Sequence, residues 1–438
     1  MFRFRDAARR VRKSSLAHNT IALYGVHIAS LLVPLITIPY LARVLRPEGW
    51  GLVVFAQSFA AWLMLVLEYG FTLSATRLVA RARDDEEQLA TVVADVMGAK
   101  VILLLVLLAS GALAAMTVPI FRRNPEILIW AWLFAVAQGL SPSWYFQGIE
   151  RMGGAALLEM SAKVAAMIGI FIWVREMDDG WIVLALQAIT GLAWIAVATS
   201  WMYRDIPVRR ASARASLAML RAARGLFIFR AGSGVYTQAN SFILGLISTP
   251  LAVAYFGGAE KIVRAATGLV QPASQALYPR ISQLVVTDPL RARKLVRLSL
   301  VGVGGLGLAL GIAILVGAPF LVDLLLGPGY ESAVPVLRML ALLPPIIALG
   351  TVLGIQWALP LGLDRPFYVL VLSAGALNLL LAAVLAPEYG AFGMAVSVVL
   401  AEALVAFGLL RVTWSATGAL WVRAQSGSPQ IPIIAGKE

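Results

Sequence analysis

LSLVGVGGLGLALGIAILVGAPFLVDLLL, residues 298–326, is the stretch that decides the fold. It carries one ionisable side chain, Asp323, near its end, and it outruns the roughly 20 apolar residues that a helix needs to cross a bilayer. Comparable apolar runs recur at 18–42, 50–73, 94–118, 127–147, 156–174, 181–203, 226–248, 251–279, 335–359, 367–386 and 391–411, so about twelve spans are expected. The composition agrees: 60% of the 438 residues are hydrophobic and 13% are charged. A soluble domain carries roughly 25% charged residues, so the polar surface needed to cover one or more soluble domains is missing. The fold expected is all-α and polytopic.

Charge sets the orientation. Lys and Arg concentrate in the connections that place both termini in the cytoplasm, as the positive-inside bias of short loops requires. The formal net charge of +13 is read as this topological signal and not as a nucleic-acid footprint; no nucleic-acid partner is expected. The basic opening MFRFRDAARRVRKSS resembles a signal peptide, but the apolar run behind it is too long for one and lacks a small-residue cleavage site, so it is read as the first span. The organisation that follows is a basic cytoplasmic segment 1–17, a six-helix bundle 18–203, a basic cytoplasmic linker helix 204–225, a second six-helix bundle 226–411 and a cytoplasmic tail 412–438. The linker spaces Arg210, Arg214, Arg221 and Arg224 along one helix, suited to anionic headgroups of membrane lipids.

Several chemistries fall away. With no cysteine and only two histidines, His18 and His27, there are no thiol nucleophiles and no usual zinc site; no metal or cofactor is expected. No GxxxxGK[ST] loop occurs, so a P-loop does not power the chain. Every extracytoplasmic connection is short, LGPGYESAVP being the longest, which leaves no room for a folded catalytic domain; the chain is not expected to be an enzyme.

The informative residues are those that cost energy in lipid, about 2.5–3.5 kcal/mol each on insertion scales. Glu260, Lys261 and Arg264 share an arc of one helix, with the acid and arginine four residues apart, and Glu159 and Lys163 repeat that spacing. Arg230 adds a further cation. Arg230, Lys261, Arg264 and Lys163 are therefore the candidate cationic lining for an anionic headgroup, against the alternative of mutual neutralisation. Glu68, Glu159, Glu260 and Glu402 are candidate coupling or cavity acids, and His27 is a candidate proton site. In RDDEEQ, Asp84 is expected to cap the third span with Glu87 at the third helical position.

Specific strings go further. PYLARVLRPEGWG (39–51), EYGFTLSATRLVARARDDEE (68–87), PSWYFQGIERM (142–152), AEKIVRAATGLVQPASQALYPRIS (259–282) and ALNLLLAAVLAPEYGAFGMAVSVVLAE (376–402) together resemble the Wzx-type flippases of O-antigen and exopolysaccharide repeat units, within the multidrug/oligosaccharidyl-lipid/polysaccharide exporter superfamily. The resemblance implies two six-helix bundles around a central cavity, alternating access, an inner-membrane location and an undecaprenyl-diphosphate-linked oligosaccharide as cargo. It implies that Arg264, Lys261 and Arg230 meet the diphosphate or acidic sugars, that Trp144 and Tyr145 stack on sugar rings, and that a polysaccharide polymerase and chain-length machinery are partners. Two rivals stand beside it. A drug or metabolite antiporter of the same superfamily would want unpaired acids, whereas a glycan polymerase or ligase would want a long extracytoplasmic loop.

Overall fold

The computed structural model describes residues 33–269 and 271–417. His27 with the rest of 18–32, and the segments 1–17 and 418–438, lie outside the described residues. Among those described, every regular element is helical, as a chain in lipid requires when each backbone N–H and C=O needs a partner within its own segment. Eight of these helices are long and apolar enough to cross a membrane by length and composition. The 298–326 stretch lies in the 37-residue helix Pro289–Leu325, whose first turn is capped by Asp288 accepting from the Arg291 N–H at 3.1 Å. The runs at 367–386 and 391–411 form one continuous length, Asp364–Thr417, bent at Gly390 (φ 54°).

The chain divides into two compact units, Met1–Gly234 and Val235–Glu438. In the first, the helix Arg46–Glu68 packs against Pro125–Gly139 and Gly180–Asp205, with Leu67 at Gly139 and Val53 at Gly180, while Phe55 and Phe59 meet Phe121 of the short helix Pro119–Arg123. The chain breaks immediately after Glu68. Tyr69 (φ 49°) and Gly70 (φ 81°) are both left-handed, and the helix Phe71–Ala82 starts in a new direction. Glycine tolerates that conformation, whereas a tyrosine is held in it only by its surroundings; here the Tyr69 ring stacks on Phe227 at 4.2 Å. A second break follows Gly139, before the short helix Ser143–Gly148. The two breaks are neighbours: a Cβ at Gly139 would meet the Leu67 side chain at 2.7 Å, and Thr76 Oγ1 donates to the Trp144 carbonyl at 3.1 Å.

In the second unit, Pro289–Leu325 lies directly on the turn and helix around 341–345. Cβ atoms added at Gly307 and Gly311 would come within 2.7 Å of the Pro344 and Ala341 carbonyl oxygens. Small residues four apart let backbones approach where lipid offers no hydrophobic drive to associate. Other glycines of this helix, Gly302, Gly304 and Gly305, face open space, and Val301, Leu308, Ile312 and Val316 stay exposed. Such apolar side chains suit a bilayer and not water. A buried polar chain crosses the same unit: Ser299 Oγ donates to Gln356 Oε1 (2.6 Å), and Gln356 Nε2 donates to Ser274 Oγ (2.9 Å). Gln356 sits in a π-helical turn, Val352–Ala358.

The cap of the Glu86–Thr117 helix differs from the expectation by one residue. Asp85, not Asp84, accepts from the Glu87 and Gln88 N–H groups, each at 3.0 Å. Asp85 has the extended backbone (φ −126°, ψ 104°) that turns its carboxylate onto those donors, while Asp84 lies 3.9 Å from Arg83.

Candidate functional site

Each unit holds its own group of ionisable residues within its helices. In the first, Glu68 ends its helix at the left-handed break, where its side chain projects toward the helix Ala213–Gln238. Arg230 Nη1 donates to Glu68 Oε1 at 2.7 Å, with a third of the arginine and about a fifth of the acid side chain exposed (33% and 22%). The same helix closes on the break through Phe227 on Tyr69 and Leu226 against Gly70. Lys163 pairs with Glu159 at 2.8 Å, both partly exposed, as their spacing on one helix implies.

Sequence reasoning passed over Lys100, although it lies within the 94–118 run. It is 1% exposed. Its ammonium donates to the carbonyls of Gly139 (2.7 Å) and Ser141 (3.3 Å), the groups left without helical partners at the second break, and it interacts electrostatically with Glu68. A lone lysine inside the apolar run 94–118 was the available signal. The helix break that receives it was not.

In the second unit, Pro250–Gly268 carries Glu260, Lys261 and Arg264 together. Its start is set by Thr249, which accepts from the Ala252 N–H at 3.2 Å, and by Pro250 at the first helical position. Arg264 Nη2 donates to Glu260 Oε1 at 2.9 Å and to the Thr237 carbonyl, yet 49% of its side chain stays exposed, against 16% for Glu260. Lys261 lies within electrostatic range of both, and Arg264 acts electrostatically on Glu402, from the half of the last helix beyond Gly390. Glu402 thus adds a second acid to the group formed by Glu260, Lys261 and Arg264.

Trp144 and Tyr145 are enclosed, at 2% and 1% exposure, in an edge-on contact 6.4 Å apart. The Trp144 indole N–H is buried without a partner. Neither ring offers a face for a sugar in this arrangement. Among the described residues no three His, Asp or Glu side chains group as metal ligands would.

The profile of the "Polysaccharide biosynthesis protein" family matches residues 16–285. A protein of Escherichia coli (strain K12) named "Putative O-antigen transporter" is 32% identical over 402 residues, spanning 90% of this chain and 95% of its own. A Shigella dysenteriae protein of the same name is 30% identical over 400 residues, spanning 90% and 98%. Among solved structures, lipid II flippase MurJ in an inward closed conformation superposes with a TM-score of 0.66 at 14% identity, covering 90% of this chain and 87% of its own. An inward-facing multidrug resistance MATE transporter of the MOP superfamily gives 0.56 at 16% identity, covering 88% and 98%. At these identities the two structures speak for the fold alone, whereas the family profile and the two sequence relatives show descent: the chain belongs to the polysaccharide biosynthesis protein family, as a multi-pass helical membrane protein.

Proposed function

We propose that this chain is a flippase, not an enzyme, carrying an undecaprenyl-diphosphate-linked oligosaccharide repeat unit from the cytoplasmic to the periplasmic leaflet of the bacterial inner membrane. Both termini face the cytoplasm in this reading. The lipid tail stays in the bilayer while the polar head passes along charged and hydrated protein surface. Crossing hydrocarbon directly would strip the head of its hydrogen bonds, at several kcal/mol for each unsatisfied group. Alternating access supplies the route. Exchange of protons or sodium at the acids beside the arginines drives it.

The observation that carries the headgroup assignment is the half-exposed Arg264 guanidinium, held by one carboxylate and one carbonyl inside an apolar unit. A guanidinium has five N–H donors in a planar fork, so diphosphate oxygens can replace the carboxylate with equal or better geometry. Arg230 and its single bond to Glu68 present the same exchange in the other unit. The multidrug reading shares the fold, so the fold does not separate the two. The sequence relatives favour the lipid-linked cargo.

Two measurements test the reading. Deleting the gene should leave lipid-linked repeat units on the cytoplasmic face and none accessible from the periplasm. Arg230→Glu and Arg264→Glu, inserted at normal levels, should each fail to restore export; full export by both removes the headgroup role.

A further inference from the structure

Lys100 calls for a separate account. Among the described residues it is the one lysine, arginine, aspartate or glutamate whose surface is almost wholly enclosed. Two carbonyls at a helix end need donors, but a hydroxyl or an amide supplies those without a charge. Keeping an ammonium there is expensive unless an acid uses it. That acid is Glu68. Leu67 packs on Gly139, whose carbonyl receives Lys100, so the Glu68 backbone is held beside the lysine's anchor, and the two charges interact. Glu68 is thereby served by two cations of unlike exposure. Arg230 is bonded at 2.7 Å and a third exposed; Lys100 is enclosed, with two of its three donors fixed on backbone.

We propose that Lys100 is a positioning residue for headgroup capture: it remains as the counter-charge of Glu68 when Arg230 turns from that carboxylate to a diphosphate. This rests on the headgroup reading of Arg230. Without Lys100, every release of Arg230 would strand an ionised acid inside the bilayer, and Arg230 would stay locked to Glu68. With it, the exchange moves one cation and leaves no charge uncompensated.

The test is binding of geranylgeranyl diphosphate to the purified full-length chain in detergent micelles, with geranylgeraniol as the control that lacks the diphosphate. Lys100→Met should weaken binding by about tenfold, an ordinary coupling between neighbouring sites. Lys100→Arg should keep the affinity. Adding Glu68→Gln to Lys100→Met should recover most of the loss, because no acid then needs the second cation. A lysine that merely ties the helix end would not be rescued this way. Wild-type affinity in Lys100→Met, or no recovery in the double variant, overturns the proposal. Should Lys100→Met fail to accumulate, Glu68→Gln alone decides: it should bind several-fold more tightly, since Arg230 loses its competitor, and unchanged or weaker binding overturns the proposal. If the wild-type chain does not prefer the diphosphate to the alcohol, the headgroup reading itself falls and takes this one with it.

Discussion

Single residues differ sharply in how far the sequence discloses them. Pairs four apart on one helix, Glu159 with Lys163 and Glu260 with Arg264, follow from helix geometry, and they close at 2.8 and 2.9 Å. The Arg230–Glu68 pair spans 162 positions and needs the tertiary fold to bring it together; no local rule points from one to the other. The helix cap was legible to within one residue, since Asp84 and Asp85 are chemically equal and only backbone dihedrals choose between them. Asp85→Ala should cost about 1 kcal/mol of stability, and Asp84→Ala much less, measured by thermal unfolding in detergent. Glu331 gives a pH-dependent case outside the spans. Its carboxylate accepts from its own N–H and from the Gly329 N–H (3.1 Å), which holds its pKa below the ordinary value. A lowered pKa stabilises the fold above the unfolded carboxylate range and loses that effect as pH falls through the folded pKa. Glu331→Gln should therefore unfold at a lower temperature than wild type near neutral pH, and the difference should vanish once the Glu331 carboxylate is protonated in both the folded and the unfolded state.

At the scale of elements, hydropathy reveals where helices run but not which of their faces touch. The runs 367–386 and 391–411 were separable in sequence, and the chain bends between them at Gly390. In the helix Pro289–Leu325, Gly307 and Gly311 meet backbone carbonyls of a neighbouring segment, while Gly302, Gly304 and Gly305 face open space. Sequence cannot rank five glycines whose difference lies in the neighbour. The consequence is a matched pair of variants. Gly307→Leu should destabilise by about 1–3 kcal/mol through overpacking against the Pro344 carbonyl, whereas Gly304→Leu should leave the unfolding temperature nearly unchanged. The break at Tyr69 and Gly70 had no sequence signature beyond one glycine inside an apolar run. It matters because it ends the helix at Glu68 and points that acid at Arg230.

For the whole molecule, composition and the 298–326 run were enough to reach an all-helical membrane protein, and ordered strings reached its family. The approach of Glu402 to Arg264 was not legible, because about 140 positions separate the two. A multidrug transporter shares the fold, so the proposed cargo rests on sequence kinship. A susceptibility assay therefore separates the readings: overexpression should not alter tolerance of cationic drugs, and a several-fold rise would favour the antiporter. One dimension of the long helix Pro289–Leu325 bears on where such a protein can work. Its 37 residues, at 1.5 Å each, reach about 55 Å, well beyond an oily layer about 30 Å thick. Arg291, Arg293, Lys294 and Arg297 crowd its first turns, so the excess can stand among phosphates at one side, and thinner or thicker membranes would meet a ruler with slack at its basic end.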